Sequence, residues 1–170
     1  RYQDEHRYRF SFGTEASLNL AQDEELLRLF REANFGWVFI GIETPDADSL
    51  KETHKTQNTG ADILGSVQRI YAEGIEVLAG FIVGFDNDTL DTFERQYGFI
   101  TASGIQAAMV GLLTALPRTP LYQRLEQEGR LRLQEDDTDN TRPGTNIVPK
   151  RMAHEAMGAA YNRLYRRLPT

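Results

Sequence analysis

Ile75-Glu76-Val77-Leu78-Ala79-Gly80-Phe81-Ile82-Val83-Gly84 is the stretch that decides the fold. Its single charge, Glu76, sits near the start. Gly74 precedes the stretch and the polar Asp86-Asn87-Asp88 follows it. A strand with one wet face alternates apolar and polar residues, whereas a short, nearly continuous apolar run belongs to a strand buried on both faces, as in a parallel sheet. Two other stretches have the same character. Trp37-Val38-Phe39-Ile40-Gly41-Ile42-Glu43 lies upstream and Ala107-Ala108-Met109-Val110-Gly111-Leu112-Leu113 downstream. A further extended run, Tyr8-Arg9-Phe10-Ser11-Phe12, alternates and ends at Gly13.

Amphipathic helices fill the intervals. From about 23 to 33, Leu26, Leu27, Phe30 and Ala33 share a face, and Asp23-Glu24-Glu25 suits the positive end of the helix dipole. Thr44-Pro45 reads as an N-cap followed by proline at the first helical position. Thr59-Gly60-Ala61-Asp62 has the capping-box pattern ahead of the stripe Ile63, Leu64, Val67, Ile70, Tyr71, which Gly74 closes. Asp88 is a good cap for a helix bearing Leu90, Phe93, Tyr97 and Ile100, and Thr119-Pro120 opens one bearing Leu121 and Leu125. Strands alternating with helices predict an α/β fold of right-handed βαβ units, four of them over about residues 7–130. Residues 134–149 start with an acidic run lacking apolar anchors and contain Pro143-Gly144, which predicts a linker or loop. A last amphipathic helix over about 150–168 carries Met152, Met157, Ala160, Tyr161, Leu164 and Leu168.

Composition narrows the chemistry. With 170 residues, 40% hydrophobic and 26% charged, the chain is that of an ordinary soluble domain. A net charge of −6 argues against a nucleic-acid surface, which needs a basic excess. No apolar run approaches the ~20 residues of a membrane helix. No basic, apolar, small-residue series marks a signal peptide, and a cytoplasmic location is expected. The chain has no cysteine, which excludes thiolate nucleophiles, disulfides and iron–sulfur ligation by its own side chains. His6, His54 and His154 are too scattered to suggest a metal triad.

In parallel α/β folds ligands gather at the carboxyl ends of the strands. Those ends hold Gly13-Thr14-Glu15, Gly41-Ile42-Glu43-Thr44, the segment from Gly80 to Asp86, and Leu113-Thr114-Ala115-Leu116-Pro117. Glu15 and Glu43 either pair with rim bases or face a site, because an unpaired charge at a buried strand end is costly. The spacing Gly80-x-Ile82-x-Gly84 weakens a strand and favours close approach by a ligand or another backbone. It is not a dinucleotide fingerprint, since G-x-G-x-x-G is absent.

Three motifs in order resemble the cobalamin-binding radical SAM proteins. The first is Phe39-Ile40-Gly41-Ile42-Glu43-Thr44 with Ser49 to Asn58, the second Glu76 to Asp88, and the third Met109 to Tyr122. The resemblance implies a partial parallel (β/α) barrel. In that family a Cys-x-x-x-Cys-x-x-Cys loop holds a [4Fe–4S] cluster and a Gly-Gly-Glu element binds the methionyl amine of S-adenosylmethionine. Neither motif is present, so the expected chain is the C-terminal half of the barrel, residues 1–130, with a linker and helical segment, 131–170, similar to a C-terminal segment of unknown role. By the same resemblance Glu43 contacts the ribose or methionyl group. Gly80, Ile82 and Gly84 pack on adenine, and Leu116 and Pro117 line it. Asn87 stands where the family motif often has Glu. The implied parent enzyme uses S-adenosylmethionine, the cluster and cobalamin for methyl transfer or cyclisation on a small-molecule substrate. The expected partner is the missing N-terminal half, and homo-oligomers through an exposed strand edge are a further expectation. The segment alone is expected to be inactive and to bind none of these cofactors tightly. A free-standing α/β binding module and a non-catalytic interaction domain are the alternatives, and the parent reading frame separates them.

Reconstituting this chain with iron and sulfide should therefore leave no visible charge-transfer absorbance. A stoichiometric, EPR-active cluster on the isolated chain would contradict that expectation.

Overall fold

A computed structural model describes residues 1–7, 10–52, 62–132 and 144–168. The elements run α1 (Tyr2–Glu5), β1 (Phe12–Ala16), a 3-10 turn (Leu18–Gln22), α2 (Glu24–Glu32), β2 (Phe35–Glu43), α3 (Ala47–Glu52), α4 (Ile63–Ala72), β3 (Glu76–Val83), α5 (Leu90–Ser103), β4 (Ala107–Leu112), α6 (Pro120–Gln127) and α7 (His154–Arg167). The strands form one sheet in the order β1-β2-β3-β4. β2 lies parallel to both β1 and β3. The α/β alternation expected of βαβ units is thus the fold observed. The chain divides into two compact units, residues 1–81 with 99–109, and residues 82–98 with 110–168.

In the first unit, Val38, Ile40 and Ile42 of β2 and Val77, Ala79 and Phe81 of β3 are buried. The residues between them are not, and Trp37 is 42% exposed. The expectation of two equally buried faces is corrected: the apolar runs bury one face fully and leave the other half-exposed. Helix α2 begins where Asp23 accepts from the Leu26 N–H at 2.9 Å. Helix α4 is capped by Asp62, which accepts from the Gly65 N–H at 2.8 Å. Ile63, Ser66, Val67 and Ile70 turn inward. Gln68 and the Tyr71 hydroxyl donate to the carbonyls of Ser103 and Gly104, tying α4 to the end of α5.

Several boundaries depart from expectation. β1 covers Phe12–Ala16 instead of stopping at Gly13. Tyr8 and Arg9 lie outside the described residues, and β1 is the terminal strand of the sheet. Asp46, not Thr44, starts α3, since its Oδ1 accepts from the N–H groups of Asp48 and Ser49. Thr59 to Ala61, proposed to open α4, also fall outside the described residues. Leu26 and Leu64, assigned to apolar stripes, are exposed.

In the second unit the Leu113 N–H donates to the Val83 carbonyl at 2.8 Å, one residue beyond the end of β4. Ala115, Leu125 and Ile147 form a small core with Leu113, Leu121, Tyr122 and Leu131 around it. Leu131 and Ile147 form an antiparallel bridge. Of the stretch 134–149 expected to be a linker or loop, 134–143 lie outside the described residues, whereas Thr145, Asn146 and Ile147 are buried. Local composition missed this because Thr145 and Asn146 are buried through hydrogen bonds, not through apolar bulk.

Gln96 on α5 is fully buried with neither amide atom hydrogen-bonded among the described residues. An unsatisfied buried amide costs about 1–3 kcal/mol. Gln96→Met, which keeps the shape and removes the polar atoms, should raise the melting temperature. An equal or lower melting temperature would show that the amide has a partner.

Candidate functional site

Glu43 ends β2 with φ 68°, a left-handed conformation rare outside glycine and asparagine. The Thr44 N–H donates to the Ile42 carbonyl at 3.0 Å, closing a three-residue turn around Glu43. Such γ-turns are rare and strained. A strained residue costs about 1–3 kcal/mol and persists only where its surroundings over-determine it. They do so here: Thr44 is buried and its Oγ1 accepts from the Asp46 N–H at 3.2 Å, while Asp46 in turn starts α3. The β2/β3 register shifts at the same point, from Gly41↔Gly80 to Glu43↔Phe81.

Glu15 does not join Glu43. It lies inside β1, exposed, opposite Phe39, four residues short of Glu43 along β2. At about 3.3 Å per residue that is roughly 13 Å along the strand direction. It makes no ion pair among the described residues. Gly80 sits half-buried opposite Gly41, and a Cβ at Gly80 would come within 3.0 Å of the Phe39 ring. Its smallness is therefore used by a neighbouring aromatic side chain.

In the second unit Ile82 is half-buried, at the position of β3 that alternation assigns to the same face as Gly80. Gly84 is buried with φ 105°, a conformation that explains the glycine without any ligand. A Cβ there would meet the Met157 sulfur at 3.4 Å and Leu113 at 3.7 Å. The Gly84 and Phe85 N–H groups donate to Asp88 Oδ2 at 2.7 and 3.1 Å. Leu116 is 45% exposed and Pro117 is exposed; the Leu116 carbonyl accepts from the Thr119 N–H at 3.2 Å and hydroxyl at 2.7 Å. These two residues therefore offer apolar side chains at the end of β4.

Sequence reasoning missed a charged cluster beside Gly84. Asp86 accepts from Arg124 at 2.6 Å, Arg130 at 2.7 Å and Lys150 at 2.9 Å, and Glu128 pairs with Arg130 at 2.8 Å. Burial resists the charge on Asp86, but hydrogen bonds from Arg130, Arg124 and Lys150 outweigh it and hold the carboxyl well below the usual carboxylate range. Partners 38 to 64 positions away in sequence leave no local signal. The Arg151 guanidinium also donates to the Asn87 carbonyl at 3.1 Å.

No group of three or more His, Cys, Asp and Glu is placed to hold a metal ion among the described residues. No helix among them is long and apolar enough to cross a membrane. With no cysteine in the chain, its residues do not fit an iron–sulfur cluster. The end of β2 offers one acceptor, the Glu43 carboxylate, near the half-exposed Gly41, whereas the Phe39 ring takes the space over Gly80.

Residues 2–100 match the family described as the radical SAM superfamily, and residues 119–168 match a domain of unknown function. The chain is 42% identical over 157 residues to the hopanoid C-2 methylase of Rhodopseudomonas palustris, covering 91% of this chain and 29% of that protein. It is 41% identical over 150 residues to the uncharacterized methyltransferase sll1242 of Synechocystis, covering 88% of this chain and 28% of that protein. The chain thus spans less than a third of the length of these relatives. Its fold is similar to that of the radical S-adenosylmethionine methyltransferase TsrM from Kitasatospora setae, whose structure holds cobalamin and a [4Fe–4S] cluster. The TM-score is 0.61 at 22% identity, over 92% of this chain and 31% of that one.

The Asp86 cluster generates a pH test. A carboxyl depressed in the folded state contributes stability that is full above its unfolded value near 4 and is lost as pH falls through that value toward the folded one. Melting temperature should therefore fall more steeply for this protein than for Asp86→Asn between pH 4 and lower values. The two should differ by a constant amount above about pH 5. Parallel acid profiles would remove Asp86 as a stabilising charge.

Proposed function

We propose that this chain, which belongs to the radical SAM superfamily, forms the C-terminal half of the catalytic barrel of a larger methyl-transferring enzyme and carries the ribose and adenine side of its S-adenosylmethionine site. S-adenosylmethionine supplies both the radical chemistry and the methyl group in such an enzyme, together with a cluster and a cobalamin held by the rest of the protein. Two relatives more than 40% identical are named as a methylase and a methyltransferase, which favours methyl transfer over cyclisation. The acceptor is a small molecule, and the N-terminal half supplies the cluster ligands that the present sequence lacks.

The observation that carries the reading onto particular atoms is the strained turn at Glu43. Its cost is explained if the turn aims a carboxylate at a hydroxyl or ammonium group of the cofactor. In the first unit Gly80 would contribute through the strand face it shares with Phe39; in the second, Ile82, and Leu116 and Pro117 beyond the end of β4, would offer apolar side chains to the base. None of these residues moves a proton in this account. They bind and orient, while Gly84 shapes the backbone. Glu15 has the weakest support, being displaced along the sheet from Glu43.

Replacing Glu43 separates this role from a structural one. Glycine accepts the left-handed conformation freely, so Glu43→Gly should leave the melting temperature equal or higher by relieving strain of about 1 kcal/mol. The same variant should bind S-adenosylmethionine roughly ten-fold to a hundred-fold more weakly in the protein that carries the cluster-binding half, since losing a charged hydrogen-bond partner costs about 1.5–3 kcal/mol. Calorimetric titration with a thermal melt checks both. Unchanged affinity in a well-folded variant would leave Glu43 without a cofactor role.

A further inference from the structure

The segment from 119 to 168, which matches a domain of unknown function, reaches back to the ends of β3 and β4 through side chains bonded to main chain. Asn146, 3% exposed, receives the Ala115 N–H on Oδ1 at 2.9 Å and donates from Nδ2 to the Ala115 carbonyl at 2.8 Å. One amide thus pairs with both polar groups of the residue before Leu116, as a neighbouring strand would. Thr145 donates to the Leu113 carbonyl and Tyr161 to the Val110 carbonyl. Just beyond β3, Arg124, Arg130 and Lys150 close on Asp86, Arg151 on the Asn87 carbonyl, and Met157 packs at Gly84.

An apolar cover could have buried these loops with less desolvation of charge. Directional bonds to the main chain instead fix where each loop sits, and a fully satisfied polar network specifies a single arrangement. We propose that residues 119–168 are a positioning element that holds two strand ends, Gly84 to Asn87 after the adenosyl-contacting Ile82 and Ala115 to Pro117 with the adenosyl-contacting Leu116 and Pro117, in binding register. Asn146 and Asp86 are its principal positioning residues. The inference rests on the cofactor reading above and gives the segment of unknown function a task within it. The segment acts on the adenosyl end of the cofactor through loop geometry, without touching the methionyl end.

The test uses the protein carrying both halves, titrated calorimetrically with S-adenosylmethionine and with 5′-methylthioadenosine, which retains the adenosyl group and lacks the amino acid. Asn146→Ala and Asp86→Asn should weaken both ligands by the same factor, about ten-fold, well below their melting temperatures. Arg151→Ala, at an exposed position where folding survives, should weaken both a few-fold. Amide exchange at Phe85, Ala115 and Leu116 should quicken in step with the affinity loss. A merely structural role would lower melting temperature and leave both affinities unchanged in the folded protein. That outcome for Asp86→Asn and Arg151→Ala overturns the proposal even if Asn146→Ala fails to fold. Unchanged binding in Glu43→Gly overturns the cofactor reading instead, so the two failures are told apart.

Discussion

The structure depends on one constraint, the complete burial of a single face of the sheet. Val38, Ile40 and Ile42 of β2 and Val77, Ala79, Phe81 and Val83 of β3 are buried, at alternating positions. At about 25 cal/mol per Å² of apolar surface removed from water, these side chains supply the main favourable term holding the two strands in register. A one-residue slip would turn every one of them to the other face, so the register is strongly specified. The register shift beyond Gly41 is tolerated because it falls at the end of the strand, where one extra residue changes the direction of Glu43 without disturbing the pairs before it.

The opposite face explains what the sequence could and could not reveal. Trp37, Phe39, Leu78 and Ile82 are apolar, as residues of a fully covered strand would be, yet they are half-buried or exposed. Their chemistry made the strands legible as members of a parallel sheet, and that part of the fold was read correctly. The cap at Thr119 was legible from Thr119-Pro120 and bonds an N–H three residues on, whereas Asp23, read as one of three first-turn acids, and Asp62, read as the last residue of a capping box, are themselves the caps of α2 and α4. β1 was displaced because Gly13 looks like a terminator in isolation, whereas the partner strand carries the ladder through it to Ala16. Thr145 and Asn146 read as linker in the sequence because polar residues bury only when distant partners satisfy them.

The candidate site was legible in kind more than in detail. Resemblance drew attention to Glu43, but its left-handed backbone has no signature in a run of apolar residues ending in Glu. Conversely, Gly80 and Gly84 looked alike in sequence and differ in structure. Gly80 leaves room for Phe39, and Gly84 is demanded by its own φ. Asp86 has no local signal because its three cationic partners come from α6, the residues just after α6 and the stretch before α7.

Strain and clamping belong together in this molecule. Glu43 holds a conformation that its own residue type disfavours, and the buried Thr44 with the Asp46 turn keeps it there. At the ends of β3 and β4, Asp86 and Ala115 are held by side chains distant in sequence. Strand ends left to solvent would fray, since terminal peptide groups lack the cooperative support of the sheet interior. A chain selected for stability alone would place glycine at position 43 and apolar residues at positions 86 and 146, because these choices avoid strain and charge burial. Retaining the costlier residues at the carboxyl ends of β2, β3 and β4 is the pattern expected where geometry at those ends matters more than the last few kcal/mol of stability.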